Sequence, residues 1–399
     1  MLVIVENVAL GIDIRVRKQV RDLLAAGYQV SVVTRAAPEN DEYRRLPGLS
    51  VLEYPSPPEP GGVLGYVWEY AVSFFWAAAL SLRVLRRGRV DVLQLCQPPD
   101  VYFPLARVFR WLGAGVVVDQ RDLMPELFAT RQERPVPAVM TALRWLERRT
   151  QAVADETICV NEYLKERLVA AGARPASVTI VRNGPVLSRV RSAAPDESLK
   201  NGHRFLCCWT GKMGLQDRLD LVVRTAHHVV HEIGAKDVAF VVLGDGECLE
   251  EARALSSRLG LDAWVSFPGW VPESTVFAYL ATADVGIDAS LQQEVSPVKV
   301  LEYMAFGVPF VSFDLRETTA VGAGAGAFVP PGDVAALAGE LVAVLGDRER
   351  RAGMARIGRE RVRDNLAWEH QATRYLAVID RACTGRPDAD LPQVLEPTT

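Results

Sequence analysis

Short runs of apolar, β-branched residues alternate with amphipathic stretches along most of this chain. Each run is bounded by turn-forming or charged residues, as expected for strands that are buried on both faces of a sheet. This alternation is typical of βαβ units, which place parallel strands side by side. The sequence therefore predicts an α/β fold made of two doubly wound, Rossmann-like domains. The predicted strands are Leu2–Val5, Gln29–Val33, Asp91–Leu95, Gly115–Val118, Thr157–Val160, Val178–Val181, Arg204–Trp209, Val238–Leu243, Val265–Phe267, Asp284–Ile287 and Phe310–Phe313.

The alternation of strand and helix patterns is interrupted after Asn183-Gly184-Pro185, and the segment 193–203 is polar and irregular. A chain of 399 residues is long enough for two or three domains. We therefore expect a first domain at 1–190, a second at 200–365, a helix at 366–383 and an irregular tail at 384–399. Because doubly wound sheets bind ligands beyond the carboxyl ends of their strands, the expected site is a cleft between the domains.

Composition excludes several classes of protein. The chain has 45 Lys and Arg against 49 Asp and Glu, and no basic block, so a nucleic-acid partner is not expected. Six cysteines form no C-x-x-C pair, which favours reduced thiols in the cytoplasm over disulfides or zinc. The N-terminal MLVIV is typical of a first strand and not of a signal peptide. The charge-free stretch from Tyr70 to Leu82 is too short to span a bilayer.

The segment from Glu294 to Gly307 carries the strongest chemical signal. Ser296 is a good N-cap, Pro297 is favoured at the first helical position, and Gly307 is favoured just after a helix. The pattern predicts a helix with Glu294 on the loop before it and Glu302 in its second turn.

The start of that helix suits a phosphate, because free backbone N–H groups and the helix dipole favour an anion there. Lys299, in the first turn, adds a full positive charge. The carboxylates of Glu294 and Glu302 could then hold sugar hydroxyls on either side of the phosphate. The simpler interpretation is that both glutamates are solvated, since surface glutamates are common.

Glu294 to Glu302, followed by Tyr-Met-Ala-Phe-Gly-Val-Pro, resembles the E-x7-E region of family-4 glycosyltransferases, which are retaining nucleotide-sugar enzymes of GT-B fold. Further motifs occur in the family's order over most of the chain, and one of them resembles an R-D-L-W-P-E segment found in enzymes of surface-polysaccharide assembly. These motifs are Asp13-Ile-Arg15-Val16, Arg121-Asp-Leu-Met-Pro-Glu126, Val181-Arg-Asn-Gly184, Leu243-Gly-Asp-Gly246 and Phe267-Pro-Gly-Trp-Val271-Pro272.

The resemblance implies a donor site in the second domain. There Glu302 would hold the ribose and Glu294 the donor sugar, with Ser296 and Lys299 beside the diphosphate. In the loop Gly211-Lys212, the lysine stands where the family commonly has arginine. At the family's second basic position this sequence has Asp217, and Arg218 follows one place later. Lys299 would therefore compensate more of the diphosphate's charge. Gly246 and Val271 would lie on loops that face the nucleotide.

In the first domain, Arg121 occupies the segment where many relatives carry a histidine near the reaction centre. The alternative is an internal Arg–Asp pair that orders the loop. Asp13 is interpreted as an N-cap in preference to a ligand. The last helix resembles the family segment that returns to brace the first domain.

Three other features are interpreted as structural. His227, His228 and His231 lie on a solvated helix face, Gly322–Gly326 forms a flexible loop, and the aromatic residues from Tyr66 to Trp76 pack mostly in the core. A membrane-facing patch is the alternative for the aromatic residues, supported by the arginines that follow at 83, 86, 87 and 89.

The resemblance implies transfer of a sugar, with retention, from a nucleoside-diphosphate sugar to an acceptor hydroxyl. The first choice of acceptor is a polysaccharide or lipid-linked glycan precursor, with a peripheral location at the inner face of the membrane. Alternatives are a natural-product glycosyltransferase, an epimerase or phosphorylase of similar architecture, and an inert scaffold. No cofactor and no metal are expected, because the one Asp-x-Asp triplet, Asp388-Ala-Asp390, falls in the tail.

Overall fold

The computed structural model describes residues 1–6, 8–55, 62–130, 136–190, 194–294 and 296–385. The chain forms two compact units, the first from Met1–Arg182 together with the residues from Gln371 onward, and the second from Asn183–His370. Most of the predicted tail, including Asp388-Ala-Asp390, lies outside the described residues. No helix in the described part of the chain is both long enough and apolar enough to cross a bilayer.

The first unit contains a parallel sheet with the strand order β3-β2-β1-β4-β5-β6-β7. Apolar strand residues such as Leu2, Leu93 and Val116 are fully buried, because helices cover both faces. The strands are β1 (Leu2–Ile4), β2 (Val30–Arg35), β3 (Leu49–Tyr54), β4 (Val92–Gln97), β5 (Gly115–Gln120), β6 (Glu156–Cys159) and β7 (Val178–Ile180). The helices are α1 (Ile14–Ala25), α2 (Gly62–Leu85), α3 (Phe103–Trp111), α4 (Met124–Thr130), α5 (Pro137–Val153) and α6 (Glu162–Ala170).

The second unit repeats this plan with the strand order β10-β9-β8-β11-β12-β13, also parallel. Separate apolar clusters pack on the two faces of its sheet. The strands are β8 (Phe205–Thr210), β9 (Val238–Leu243), β10 (Val265–Gly269), β11 (Val285–Asp288), β12 (Phe310–Phe313) and β13 (Gly326–Val329). The helices are α7 (Leu187–Val190), α8 (Leu219–His227), α9 (Leu249–Arg258), α10 (Glu273–Thr282), α11 (Val298–Phe306), α12 (Arg316–Gly322), α13 (Val334–Gly346), α14 (Arg348–Arg361) and α15 (Trp368–Thr384).

Helix α15 begins in the second unit and continues in the first. Near its start, the Trp368 backbone N–H donates to the Pro185 carbonyl at 2.9 Å. Further along, the Gln371 side chain accepts from the Arg182 backbone N–H at 3.0 Å, and the Tyr375 hydroxyl donates to Gln94 at 2.6 Å. Polar contacts therefore fix each part of α15 to the unit to which it belongs.

The predicted α/β class and every predicted strand are confirmed, and two interpretations are wrong. Gly322–Gly326 is a helix-to-strand turn and not a flexible loop, because Gly326 opens β13 and pairs with Phe310. A Cβ atom on either of these end glycines would lie 2.3 Å from the Phe310 ring. The aromatic residues of α2 are not all in the core, since Trp68 is 65% exposed and Phe75 is 68% exposed.

Candidate functional site

Helix α11 starts one residue later than the sequence predicts. Pro297 has φ −79° and ψ 60°, and the Val298 backbone N–H donates to the Ser296 carbonyl at 2.8 Å. This is an inverse γ-turn, whose ψ is not helical, so Pro297 is the N-cap and Val298 the first helical residue. The prediction of Ser296 as the N-cap is therefore wrong. Gly307 ends the helix at φ +70°, as predicted.

Lys299 lies in the first turn of α11 and is buried. Its ammonium is 2.9 Å from an Asp217 carboxylate oxygen and 3.5 Å from Asp288, and it lies 5.0 Å from the centre of the Trp209 ring. Burial acts to lower the pKa of Lys299, but the two carboxylates outweigh burial and raise that pKa. The lysine is therefore charged and already paired, so a phosphate would have to share its ammonium with Asp217.

Glycines let the loops after β8 and β9 run in backbone contact. The Gly211 backbone N–H donates to the Leu243 carbonyl at 3.1 Å. Gly244 has φ +134°, and a Cβ there would lie 1.8 Å from the Gly211 carbonyl oxygen. Gly246 has φ +154°, and its Cβ would lie 2.5 Å from the Met213 carbonyl oxygen. Side chains at either position would separate the two loops.

The two other basic candidates after β8 differ from one another. Lys212 is exposed, and its side chain makes no hydrogen bond or ion pair with any residue in the described ranges. Arg218 has a left-handed backbone at φ 49° and forms two hydrogen bonds of 2.8 Å with the Asp220 carboxylate. Of these two side chains, Arg218 is paired with a carboxylate, whereas the positive charge of Lys212 has no such partner among the described residues.

Glu294 and Glu302 are both half-buried, the first in the turn before α11 and the second on α11. Burial raises the pKa of the Cys208 thiol in β8, and the negative charge of Glu302 adds to that rise. Gln293, next to Glu294, accepts a hydrogen bond from the Arg316 backbone N–H at 3.2 Å. The loop before α11 thus contacts the start of α12.

These loops meet where the strand order of the second sheet reverses. Strands β8 and β11 are neighbours there, and a crevice forms at the carboxyl ends of such strands. The Thr210 hydroxyl at the end of β8 and the Ser296 hydroxyl before α11 are buried without a hydrogen-bond partner among the described residues. Buried polar groups are usually paired, so these two indicate a place for a polar ligand. Val271 lies further away, after the edge strand β10, and packs on an apolar cluster.

Sequence reasoning missed Asp288 and Trp209, which surround the Lys299 ammonium. Asp288 is 2% exposed and ends β11. An acidic residue at the carboxyl end of an apolar strand was the signal that could have found it. Trp209 gave no such signal, because its position in β8 is that of an ordinary core residue.

In the first unit, Arg121 follows β5 and forms an ion pair with Asp13, which follows β1. Asp13 also accepts from the Val16 backbone N–H at 2.9 Å, so its predicted role as an N-cap is confirmed. Arg15 holds Asp119 through hydrogen bonds of 2.9–3.1 Å, and Arg121 lies 3.6 Å from that carboxylate. Burial acts to lower the pKa of Arg121, but Asp13 and other nearby negative charges raise it.

Two donor atoms of Arg121 have no hydrogen-bond partner within the described ranges. The Arg121 Nε and Nη2 atoms are buried without a hydrogen-bond acceptor in the described part of the chain. The ion pair of Arg121 with Asp13 joins the loop after β5 to the start of α1.

The histidines of α8 and the turn after it give no sign of a metal site. His228 lies 3.2 Å from Glu232, and the His231 ring packs edge-on against Trp264. Within the described residues, no group of three or more His, Cys, Asp or Glu side chains could hold a metal ion. Independence from metals stays a prediction.

Two models of domain families match the chain, one in each unit. Residues 11–184 match the model described as "Glycosyl transferase 4-like domain", and residues 204–347 match "Glycosyl transferases group 1". With the two parallel-sheet units, these matches define a glycosyltransferase of GT-B fold.

Similar proteins agree with that class. A GDP-mannose-dependent alpha-(1-6)-phosphatidylinositol monomannoside mannosyltransferase of Mycolicibacterium smegmatis is 27% identical over 64% of this chain and 67% of its own. A 2-deoxystreptamine glucosyltransferase of Streptomyces kanamyceticus is 25% identical over 76% of this chain and 81% of its own. The crystal structure of Anabaena HepE in complex with UDP-glucose has a TM-score of 0.73 at 15% identity, covering 95% of this chain and 99% of that one.

Proposed function

We propose that the protein transfers a sugar from a nucleoside-diphosphate sugar to an acceptor hydroxyl, with the donor bound at the carboxyl edge of the second sheet. The observation that carries this proposal is the meeting of the Gly211–Lys212 loop, the start of α11 and two unpartnered hydroxyls at the β8/β11 switch point. The relative named for GDP-mannose and the solved complex with UDP-glucose support a nucleotide-sugar donor.

Different residues contact different parts of the donor. Glu302 accepts hydrogen bonds from the ribose hydroxyls and Glu294 from the sugar. Lys212, the Gly211 backbone and Ser296 contact the diphosphate, and Lys299 holds Asp217 and the loop that carries Lys212. The Gly246 and Val271 loops flank the nucleotide, and Arg218 acts through Asp220.

The reaction proceeds with retention and without a metal. The acceptor oxygen bonds to the anomeric carbon, the bond from that carbon to the phosphate oxygen breaks, and the departing diphosphate takes the acceptor's proton. Donors fixed around the diphosphate stabilise its growing charge more strongly in a closed site than in water. A catalytic role for Arg121 is proposed from the resemblance. Retention and the surface-polysaccharide subgroup rest on the resemblance alone.

A polysaccharide or lipid-linked glycan precursor is the proposed acceptor, which places the protein peripherally at the inner face of the membrane. The mannosyltransferase relative, named for a phosphatidylinositol mannoside, supports a lipid acceptor. A small natural product is the second candidate, because the longer match is to a 2-deoxystreptamine glucosyltransferase.

A thermal-shift screen of nucleoside diphosphates and their sugars tests the proposal. Ligand at a hundred times its Kd stabilises a protein by about 2.7 kcal/mol. We expect one base to raise the melting temperature clearly. If no nucleoside diphosphate does so, the chain does not use such a donor, and the inert scaffold becomes the better account.

A further inference from the structure

Helix α2 packs Phe74, Leu80 and Val84 against the core but leaves other bulky apolar side chains exposed. Ser73, Ala77 and Ser81 are each 0% exposed, whereas Trp68 is 65% exposed and Phe75 is 68% exposed. A surface helix of a soluble protein normally does the reverse, because burial of aromatic side chains is a main source of stability. Trp68 and Phe75, unlike Phe74, are therefore left for a partner.

The exposed residues form one continuous stripe. Trp68, Phe75 and Leu82 recur every seven residues, which places them on one side of the helix. Arg86 lies four residues beyond Leu82 on the same side, and the Arg86 backbone N–H donates to the Leu82 carbonyl at 3.1 Å, so the helical turn continues.

We propose that this stripe is a surface that docks on membranes containing anionic lipids. The outer face of α2, as we call it, consists of Trp68, Phe75, Trp76, Leu82, Arg83 and Arg86. It deepens the peripheral location proposed above by naming the surface and the lipid charge. It does not depend on which sugar is transferred or whether transfer occurs.

The charge next to the apolar stripe favours anionic lipid. From Tyr70 to Val90 the sequence contains four arginines and no acidic residue, although the whole chain has a formal charge of −4. Arg83 and Arg86 are exposed and form no ion pair with any other described residue. Apolar aromatic side chains that enter the acyl boundary, beside arginines that reach anionic headgroups, are the features of an interfacial helix.

A second copy of the chain fits this face less well. A symmetric contact through the outer face of α2 would bring two sets of arginines into one interface. The stretch from Tyr70 to Val90 supplies no carboxylate to neutralise them. Phospholipid headgroups with negative charge supply that compensation.

Vesicle sedimentation of the full chain tests the inference. The probes are vesicles of phosphatidylcholine alone and of phosphatidylcholine mixed with phosphatidylglycerol. We expect binding to the mixed vesicles that weakens at high salt. The double variant Trp68→Gln, Phe75→Gln should bind about tenfold more weakly or worse. The double variant Arg83→Gln, Arg86→Gln should lose most of the preference for phosphatidylglycerol.

Matched controls come from the second unit. Ile233 is 44% exposed and Trp270 is 76% exposed, so Ile233→Gln with Trp270→Gln removes similar exposed apolar groups. Arg258→Gln with Arg356→Gln makes the same change in charge as the arginine variant. Both controls should bind vesicles as the parent does, and all variants should melt at the parent's temperature, because the changed side chains are exposed.

Three results would overturn the inference. They are no binding to the mixed vesicles, equal loss in the α2 variants and their controls, and a dimer in analytical ultracentrifugation that Trp68→Gln with Phe75→Gln dissociates. The last result would assign the face to a second copy. Because none of these measurements reads transfer, their failure is separate from failure of the proposed reaction.

Discussion

Lys212 lies in the loop that follows β8 and Lys299 contacts that loop, but their surroundings differ. Lys212 is exposed, whereas Lys299 is buried between the carboxylates of Asp217 and Asp288. A charge in the first setting is available to a substrate. A charge in the second setting chiefly holds the protein's own loops together.

Substitutions of the two lysines should therefore have different effects. Lys212→Ala should keep its stability and slow transfer by a factor of about 10²–10³, the effect of losing one donor at a developing charge. Lys299→Met should lose about 3–5 kcal/mol of unfolding free energy, because it leaves buried carboxylates unpaired. Urea unfolding measures the change in stability, and steady-state kinetics measure the change in the rate of transfer. Adding Asp217→Asn to Lys299→Met should restore part of the stability. A Lys299→Met protein as stable as the parent would contradict the ion-pair network.

Glu302 tests the assignment of the nucleotide. If its carboxylate accepts both ribose hydroxyls, Glu302→Ala should weaken nucleoside-diphosphate binding by about 1.5–3 kcal/mol. Titration calorimetry gives this value, with Glu349→Ala on the exposed side of α14 as the matched control. Unchanged affinity in Glu302→Ala would remove this residue from the site.

Among the contacts between elements, the close approach of the loops after β8 and β9 is the one that most clearly requires glycine. Gly244→Ala would place a Cβ 1.8 Å from the Gly211 carbonyl oxygen, at a φ that side chains rarely adopt. We expect it to destabilise the protein by about 1–3 kcal/mol and to weaken nucleotide binding. Gly339→Ala, in α13 with nothing within 4 Å of the new Cβ, should instead be neutral or stabilising. Equal melting temperatures for the two variants would mean that the loops do not need this close approach.

The sequence predicted the elements whose signals are local. Apolar runs such as Val238–Leu243 and Phe310–Phe313 are recovered with their exact bounds, because both faces of these strands are buried. The strand β13 was missed, since its glycine is required by the Phe310 ring, which is distant in sequence. The start of α11 was misplaced by one residue, because an N-cap preference gives no information about the ψ angle of Pro297.

The candidate site was predictable only in part for the same reason. The loop and helix that carry Glu294, Lys299 and Glu302 follow from caps and from the resemblance. That Lys299 pairs with Asp217, 82 residues away in sequence, depends on the tertiary fold. The outward aromatic face of α2 was assigned to the core, because an apolar helix pattern does not tell which side faces a partner.

For the molecule as a whole, we predict that transfer needs no divalent metal. In the proposed donor site Lys212 and backbone N–H groups compensate the diphosphate's charge, so transfer should continue in excess EDTA at close to the untreated rate. The measurement is nucleotide release with and without the chelator, with addition of magnesium or manganese as the control. Loss of activity in EDTA, restored by either ion, would show that the diphosphate is held by a metal.

The central claim is that a sugar moves from a nucleoside diphosphate to an acceptor hydroxyl with its anomeric configuration retained. It is tested most directly by NMR of the reaction mixture, with the donor that stabilises the protein and a panel of lipid-linked and small hydroxyl acceptors. The account predicts one nucleoside diphosphate released for each new glycosidic bond, and the donor's anomeric configuration in that bond. A sugar that stays on its diphosphate with altered stereochemistry, or a product of inverted configuration, would contradict it.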